Sequence, residues 1–431
     1  MTKDELVLAH KSYLFPATFH YFEQPLVLDH AQDQFVYDAD GTQYLDFFGG
    51  IVTVSVGHGN AAVKKAMTAQ MDKLTHVSTC FATEPMVALA EKLAQIAPLA
   101  AGDGRPAKTF FTCSGTEADE TAVLAARLYT GSTEVIALRH GYHGRSALAM
   151  GLTGHAPWRL GPPTQPGIVH AHNAYCYRCP LQLTYPECGV RCATDLEELI
   201  KTSTTGKVAA LIAEPIQGVG GFITPPPEYF KIVAEIVRAH GGLFISDEVQ
   251  TAWGRTGTKW FGIEQWGVKP DILTSAKGLA NGMPIGVTVA RADIADAFKG
   301  LTISTFGGNP VVTAAGNAVL DFIEQQNLRS NTQVVGDYLK AKLEGLQEKH
   351  AIIGDVRGMG LLLGVELVRD RKTKEPANTE TNALLGRCRK ERVLVGKGGL
   401  YGNVVRISPP MNISKSDVDE FVARFDRALA G

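Results

Sequence analysis

Between about residue 60 and residue 325 the chain alternates helical stretches with short apolar segments at 135–138, 209–213, 243–245 and 272–274. These segments are apolar throughout rather than at every second position, as in strands buried on both faces. Helices packed on both sides of one sheet meet that demand, and such sheets run mostly parallel. The chain is therefore expected to be α/β. Its 431 residues, 45% hydrophobic and 20% charged, suffice for two or three domains and a sizeable core.

Residues 1–59 read as an arm plus part of a smaller unit. They hold the aromatics Tyr13, Phe15, Phe19, Tyr21 and Phe22 and a strand–turn–strand pattern around Gly41. Residues 60–325 form the large unit. One of its helices is expected from Thr83-Glu84-Pro85, with Met86, Leu89, Leu93 and Ile96 on one face. Residues 326–431 form a second small unit. It has a buried strand in 360–367, a polar loop around 371–380 and a closing helix with Val418, Phe421, Val422, Phe425 and Leu429 along one face.

The formal net charge of −2 argues against nucleic acid and acidic membrane surfaces as partners. No apolar run approaches the roughly 20 residues of a membrane span. The first residues, Met1-Thr2-Lys3-Asp4-Glu5-Leu6, lack a signal-peptide core, so a cytoplasmic location is expected. Seven cysteines are few and odd in number, against a disulfide framework.

Two charged residues stand where chemistry collects in open α/β sheets, at the carboxyl ends of strands. Asp247 ends the apolar run 243–246, and Lys277 follows the run 272–274 thirty residues later. This pair fits pyridoxal phosphate chemistry. The lysine holds the cofactor aldehyde as a Schiff base, and the acid keeps the pyridine nitrogen protonated.

Other motifs are weaker singly. Ser114-Gly115-Thr116 opens a helix whose free N–H groups suit a phosphate, although Ser114 and Glu117 also have capping-box spacing. Tyr142, among glycines in His140-Gly141-Tyr142-His143-Gly144-Arg145, can stack on a flat ring or be a turn residue. His140 and His143 lack metal-helix spacing, so no metal site is read there. The glycines after Glu214 suggest a close backbone approach or a plain strand exit. Arg406, among β-branched residues, needs a partner, either a substrate carboxylate or a structural acid. Cys176, Cys179, Cys188 and Cys192 have the spacing of a small zinc loop, with unliganded thiols as the alternative.

Together, from Val36-Tyr37-Asp38-Ala39-Asp40-Gly41 to Arg406-Ile407-Ser408-Pro409-Pro410, these segments resemble the class III pyridoxal-phosphate aminotransferases of fold type I. The resemblance implies a large domain with a mostly parallel, seven-stranded sheet and a smaller α+β domain built from both chain termini. It makes Lys277 the cofactor lysine and proton shuttle, and Asp247 the partner of the pyridine nitrogen. Gln250 would bond the 3′-oxygen, with Val249 and Tyr142 on the two ring faces. Ser114, Gly115 and Thr116 would cradle the phosphate, which Thr305 would reach from a neighbouring subunit. Arg406, with Val52 and Arg145, would contact substrate. A homodimer with shared sites follows, with pairing into tetramers left open.

Within the family, the segment 47–58 looks most like the alanine–glyoxylate and ω-amino acid–pyruvate subgroup. Relatives that use 2-oxoglutarate usually carry a glutamate at the position of Val219, masking the carboxylate-binding arginine. Val219 cannot do this. The expected activity is transfer of an amino group, by a ping-pong mechanism, from alanine, β-alanine or another ω-amino acid to pyruvate or glyoxylate. Arg145 keeps 2-oxoglutarate open as acceptor. Phospho-lyase, decarboxylase and epimerase chemistry remain the alternatives.

Overall fold

The computed structural model describes residues 1–18, 20–161 and 165–431. Phe19, counted among the aromatics of the arm, lies outside the described residues.

A seven-stranded sheet organises the molecule. Its spatial order is Lys108–Thr112, Gly286–Ala290, Ile272–Ser275, Leu243–Asp247, Ala210–Ala213, Val135–Leu138 and Ile168–Ala171. Only Gly286–Ala290 runs against its neighbours. The other six share one direction, so their carboxyl ends lie along a single edge. The four apolar segments read from sequence are strands here, and all four are buried along their length. Helix Gly115–Thr130 packs on this sheet, and Pro310–Gln325 packs on the helices Ala61–Lys73 and Glu84–Ile96 and on the 3-10 turn that opens at Lys277. Leu89 and Leu93 of the Glu84–Ile96 helix are fully buried.

Strands from the two ends of the chain meet. Phe35–Asp38 pairs antiparallel with Gln43–Asp46, with Gly41 at φ +80° in the turn. Gln43–Asp46 then pairs with Val393–Leu394 in parallel. A separate antiparallel sheet joins Ile353–Met359, Leu362–Asp370, Val404–Ile407 and Gly396–Gly398. The closing helix Lys415–Ala430 buries Val418, Phe421 and Phe425, and the Phe421 ring stacks on Phe47 at 4.0 Å.

Two local expectations shift. The strand expected over 360–367 spans Leu362–Asp370, because Gly360 takes φ +55° in the preceding turn. The polar loop expected over 371–380 is shorter. Glu375–Pro376 pairs back onto Val368 and Asp370, and a helix begins at Asn378. No helix among the described residues is long and apolar enough to cross a membrane.

Candidate active site

Because six strands run in parallel, the segments that leave their carboxyl ends converge. Lys277 begins a 3-10 turn two residues after Ile272–Ser275. Asp247 closes the adjacent strand and pairs in register with Thr274. Glu214 follows Ala210–Ala213, Tyr142 and His143 follow Val135–Leu138, and Ser114 follows Lys108–Thr112.

Lys277 has φ +42°, strained for a side-chain-bearing residue and a conformation that gathers at functional sites. Its amine makes no hydrogen bond or ion pair among the described residues. Burial, reinforced by the Arg406 cation, brings that amine from 10.5 down to about 7, against the opposing pull of Asp247 and Glu214. An amine poised there takes up and releases protons near neutrality.

Asp247 is 3% exposed. Its Oδ2 meets His143 Nδ1 at 2.7 Å, and its Oδ1 accepts from the Val249 N–H at 3.0 Å. Burial opposes a charged His143 ring, but the hydrogen bond and charge of Asp247 outweigh it and raise its pKa. Glu214 is also buried. It accepts from the Tyr142 and Gly218 N–H groups, both at 2.8 Å. Burial, then the charge of Asp247, pushes its carboxyl up to about 7.

Ser114 caps the Gly115–Thr130 helix. Its Oγ accepts from the Glu117 N–H at 3.3 Å and donates to Glu117 Oε2 at 2.9 Å, so the capping interaction is formed. The same helix start is closely packed. A Cβ on Gly115 would stand 2.9 Å from Val249 Cγ2. On Gly144 it would stand 2.2 Å from Thr116 Oγ1. Tyr142 is half-buried and meets the Trp158 ring edge-on at 5.4 Å.

Arg406 reaches the cleft from the small sheet, in strand Val404–Ile407. It is 3% exposed, and its Nη2 donates to Gln250 Oε1 at 2.6 Å. The guanidinium lies 4.7 Å from the Phe222 ring and 5.6 Å from the Phe48 ring. Its Nε is buried without a partner, and no acid forms an ion pair with it among the described residues. Burial lowers its pKa. Gln250, assigned by resemblance to the cofactor oxygen, thus bonds Arg406 in this structure. Val219 is close by: a Cβ on Gly398 would lie 2.6 Å from Arg406 Cδ and 3.0 Å from the Val219 carbonyl oxygen.

Val52 ends a turn in which Gly49, Gly50, Ile51 and Val52 all have φ between +57° and +65°. Left-handed backbone costs a β-branched residue roughly 1–2 kcal/mol. Asp46 Oδ1 holds the turn by accepting from the Phe48 and Gly49 N–H groups at 2.9 Å. A Cβ on Gly49 would approach the Ser408 carbonyl oxygen to 2.7 Å, so the turn lies against the segment after Arg406.

Arg145 is exposed and has no ion-pair partner among the described residues. Thr305 is also exposed. Its loop, with Cys113 and Glu117, borders a surface depression of about 470 Å³.

Cys176, Cys179, Cys188 and Cys192 line one cavity of about 20 Å³ as free thiols. Their zinc-loop spacing does not gather three of them within metal reach. Among the described residues, one trio of potential ligands comes that close: Asp119, His143 and Asp247. Burial, then the neighbouring thiols, pushes Cys192 up to about 12.

Sequence reasoning weighed His143 only as a metal ligand and Glu214 only as the start of a glycine-rich exit, assigned neither a role, and did not single out Asp119. The signal for Asp119 was present, as an acid on the apolar helix face that carries Ala118, Ala122 and Ala126.

The donor set suits pyridoxal phosphate: a near-neutral amine, a buried acid, a helix start open to an anion and a glycine that keeps Val249 close. When bound, that cofactor supplies an electron sink for the substrate carbanion. The protein's part is to hold charge and move protons. With the cofactor in place, Lys277 would be the amine that accepts and returns them, with Asp247 as the buried acid and Arg406 as the buried cation of the cleft.

Comparison with known proteins agrees. The family model described as "Aminotransferase class-III" matches residues 19–429. The chain is 42% identical over 428 residues to alanine–glyoxylate aminotransferase 2 homolog 2, mitochondrial, of Arabidopsis thaliana, covering 99% of this chain and 87% of that one. It is 38% identical to a leucine/methionine racemase of Thermococcus litoralis, covering 100% and 96%. A PLP-bound amine transaminase from an uncultivated Pseudomonas species superposes with a TM-score of 0.88 at 32% identity, covering 97% of both chains. With its fold, its lysine and acid at adjacent strand ends and its whole length matched, the chain belongs to the class III aminotransferases, which depend on pyridoxal phosphate.

Proposed function

We propose that this aminotransferase moves an amino group from a small amino acid, such as alanine, β-alanine or another ω-amino acid, to pyruvate or glyoxylate in two half-reactions. One observation carries the reading. No acid pairs with the buried Arg406 cation among the described residues, and the position where 2-oxoglutarate-using relatives carry a masking glutamate holds the buried, apolar Val219. A guanidinium left open in this way binds a single carboxylate in both half-reactions. The similarity to alanine–glyoxylate aminotransferase 2 supports the same choice.

The test is the visible spectrum of the purified holoenzyme during addition of L-alanine. The band of lysine-held cofactor should fall and return with pyruvate or glyoxylate. Return with 2-oxoglutarate alone would transfer the acceptor role to a dicarboxylate held by Arg145.

A second reading comes from the racemase relative. Loss of optical rotation from a single amino acid, with no oxo acid required, would favour it over transfer.

We further infer that the working unit is a dimer. Thr305 sits between exposed apolar residues, Ile303 at 63% and Phe306 at 62%. A second copy would cover these and bring Thr305 to its helix start. A sedimentation mass equal to one chain would refute this.

A further inference from the structure

Behind Asp247 the fold places a second acid that the reaction as described does not use. Asp119 lies on the buried face of the Gly115–Thr130 helix and is 1% exposed. Its Oδ1 accepts from Thr274 Oγ1 at 2.6 Å, tying it to the strand that precedes Lys277. Ligand-type atoms of Asp119, His143 and Asp247 all lie within 4.8 Å of one another, and all three side chains are buried.

The donors around this pair are few. Asp247 receives the His143 ring and the Val249 N–H. Asp119 receives only the Thr274 hydroxyl, and no lysine or arginine forms an ion pair with it among the described residues. Glu214 faces the pair from the Ala210–Ala213 strand end and adds negative charge. Two carboxylates this close in a dry pocket do not both stay ionised, and they titrate as a unit. Among the described residues the one basic side chain hydrogen-bonded to this pair is His143, and its partner is Asp247, while the Lys277 amine acts on Asp247 and Glu214 only through charge. Asp119 is therefore the member left to carry a proton.

We propose that Asp119 is a positioning residue, held as a neutral carboxylic acid, that shares its proton with Asp247 and fixes the single negative charge which Asp247 presents to the pyridine nitrogen. Asp119 and His143 then bracket Asp247 from two sides, and Thr274 orients Asp119. Burial and the charge of Asp247 both hold the Asp119 carboxyl well above the usual carboxylate range, in the direction this requires. The inference rests on Asp247 as the cofactor's acid and not on which amino donor is used.

Two substitutions separate the roles. Asp119→Asn keeps the shape and the donor of a neutral acid but can never ionise. Asp119→Ala removes both. The first readout is infrared difference spectroscopy of the apoprotein, wild type minus Asp119→Asn, at neutral pH, where a free aspartate is ionised and the other buried carboxyls cancel in the difference. A carbonyl stretch of a protonated carboxyl should appear in that difference. The second readout is cofactor affinity and the pH midpoint of the lysine-held cofactor band. Asp119→Asn should retain both. Asp119→Ala should lose roughly tenfold to a hundredfold in affinity, the worth of a buried donor lost from the charged Asp247, and move the midpoint.

Four outcomes would overturn the proposal: no protonated carboxyl in the difference spectrum, an Asn variant as damaged as the Ala variant, an Ala variant like wild type, or stoichiometric metal bound by the trio. Should Asp119→Ala fail to fold, Thr274→Val, which removes the orienting hydroxyl, takes its place with the same expected midpoint shift. A wrong cofactor assignment would show separately, as wild type without a visible band, while the infrared result stands on the apoprotein alone.

Discussion

Replacing Arg406 with methionine separates a binding residue from a structural one. The guanidinium is 3% exposed, its Nε lacks a partner, and its one hydrogen bond among the described residues is to the neutral Gln250 amide. A buried charge without a counter-charge costs a fold several kcal/mol. The Phe222 and Phe48 rings, at 4.7 and 5.6 Å, return about 0.5–2 kcal/mol of that. Methionine has similar length and removes the desolvation cost. It also leaves Gln250 Oε1 without its donor, a loss of about 1–3 kcal/mol. These terms nearly cancel, so the apoprotein should unfold within about 1–2 kcal/mol of wild type.

Substrate binding has no such cancellation. Two charge-assisted bonds to a carboxylate, at about 1.5–3 kcal/mol each, sum to roughly 3–4 kcal/mol once desolvation is discounted. That is a fall of about 10²- to 10³-fold in affinity for an amino acid donor. The assay is paired: urea unfolding of the apoprotein, and titration of the holoenzyme's cofactor band with L-alanine and with a simple amine that lacks the carboxylate. Only the alanine titration should weaken. If unfolding instead dropped by 3–5 kcal/mol with alanine affinity intact, Arg406 would be a structural cation. An equal loss for the simple amine would also refute the reasoning.

Other perturbations address the rest of the cleft. Lys277→Ala should keep the fold and lower turnover by at least about 10²-fold, the usual share of a positioned acid–base group, measured as steady-state transamination. Unchanged turnover would remove Lys277 from the mechanism. The depressed Lys277 amine also sets a pH signature in the apoprotein. Its folded pKa is about 7 against 10.5 for the free side chain, so between those values the unfolded chain binds more protons. Stability should therefore rise with pH across that window, and a Lys277→Met variant should flatten the rise in thermal melts. Gly115→Ala would put a Cβ 2.9 Å from Val249 Cγ2, an overpacking of about 1–3 kcal/mol. Cofactor affinity, read by equilibrium dialysis, should fall about tenfold without loss of fold.

Much of this architecture is legible in the sequence because burial on both faces leaves a local mark. Val135–Leu138 and Leu243–Asp247 read as strands, since every position to the last charged one is apolar or small. Ile168–Ala171 has His170 within it and Lys108–Thr112 opens on a lysine, so neither stands out. The antiparallel place of Gly286–Ala290 between two parallel strands is a long-range choice with no local mark. The site divides the same way. Lys277 and Asp247 announce themselves as charges ending apolar runs. His143 does not, because its meaning depends on Asp247, 104 residues away. Asp119 gave a local hint, but its partner Thr274 lies 155 residues on.

The charges of the cleft come from two structures with different roles. The large sheet supplies the acids, since Glu214 and Asp247 leave neighbouring parallel strands at one edge. The small sheet supplies the cation, since Arg406 is pinned between Gly364 and Gly396 in its own register. Lys277 lies where the two fields overlap. Acids alone would hold its amine protonated, and burial alone would leave its charge state insensitive to what binds nearby. With Arg406 as the second-largest influence on Lys277, a substrate carboxylate that neutralises Arg406 also weakens the force holding the amine down. If Arg406 binds the substrate carboxylate as proposed, substrate binding and proton affinity at Lys277 are coupled through one guanidinium. A permanent acid beside Arg406 would remove that coupling, because it would neutralise the cation before any substrate arrived.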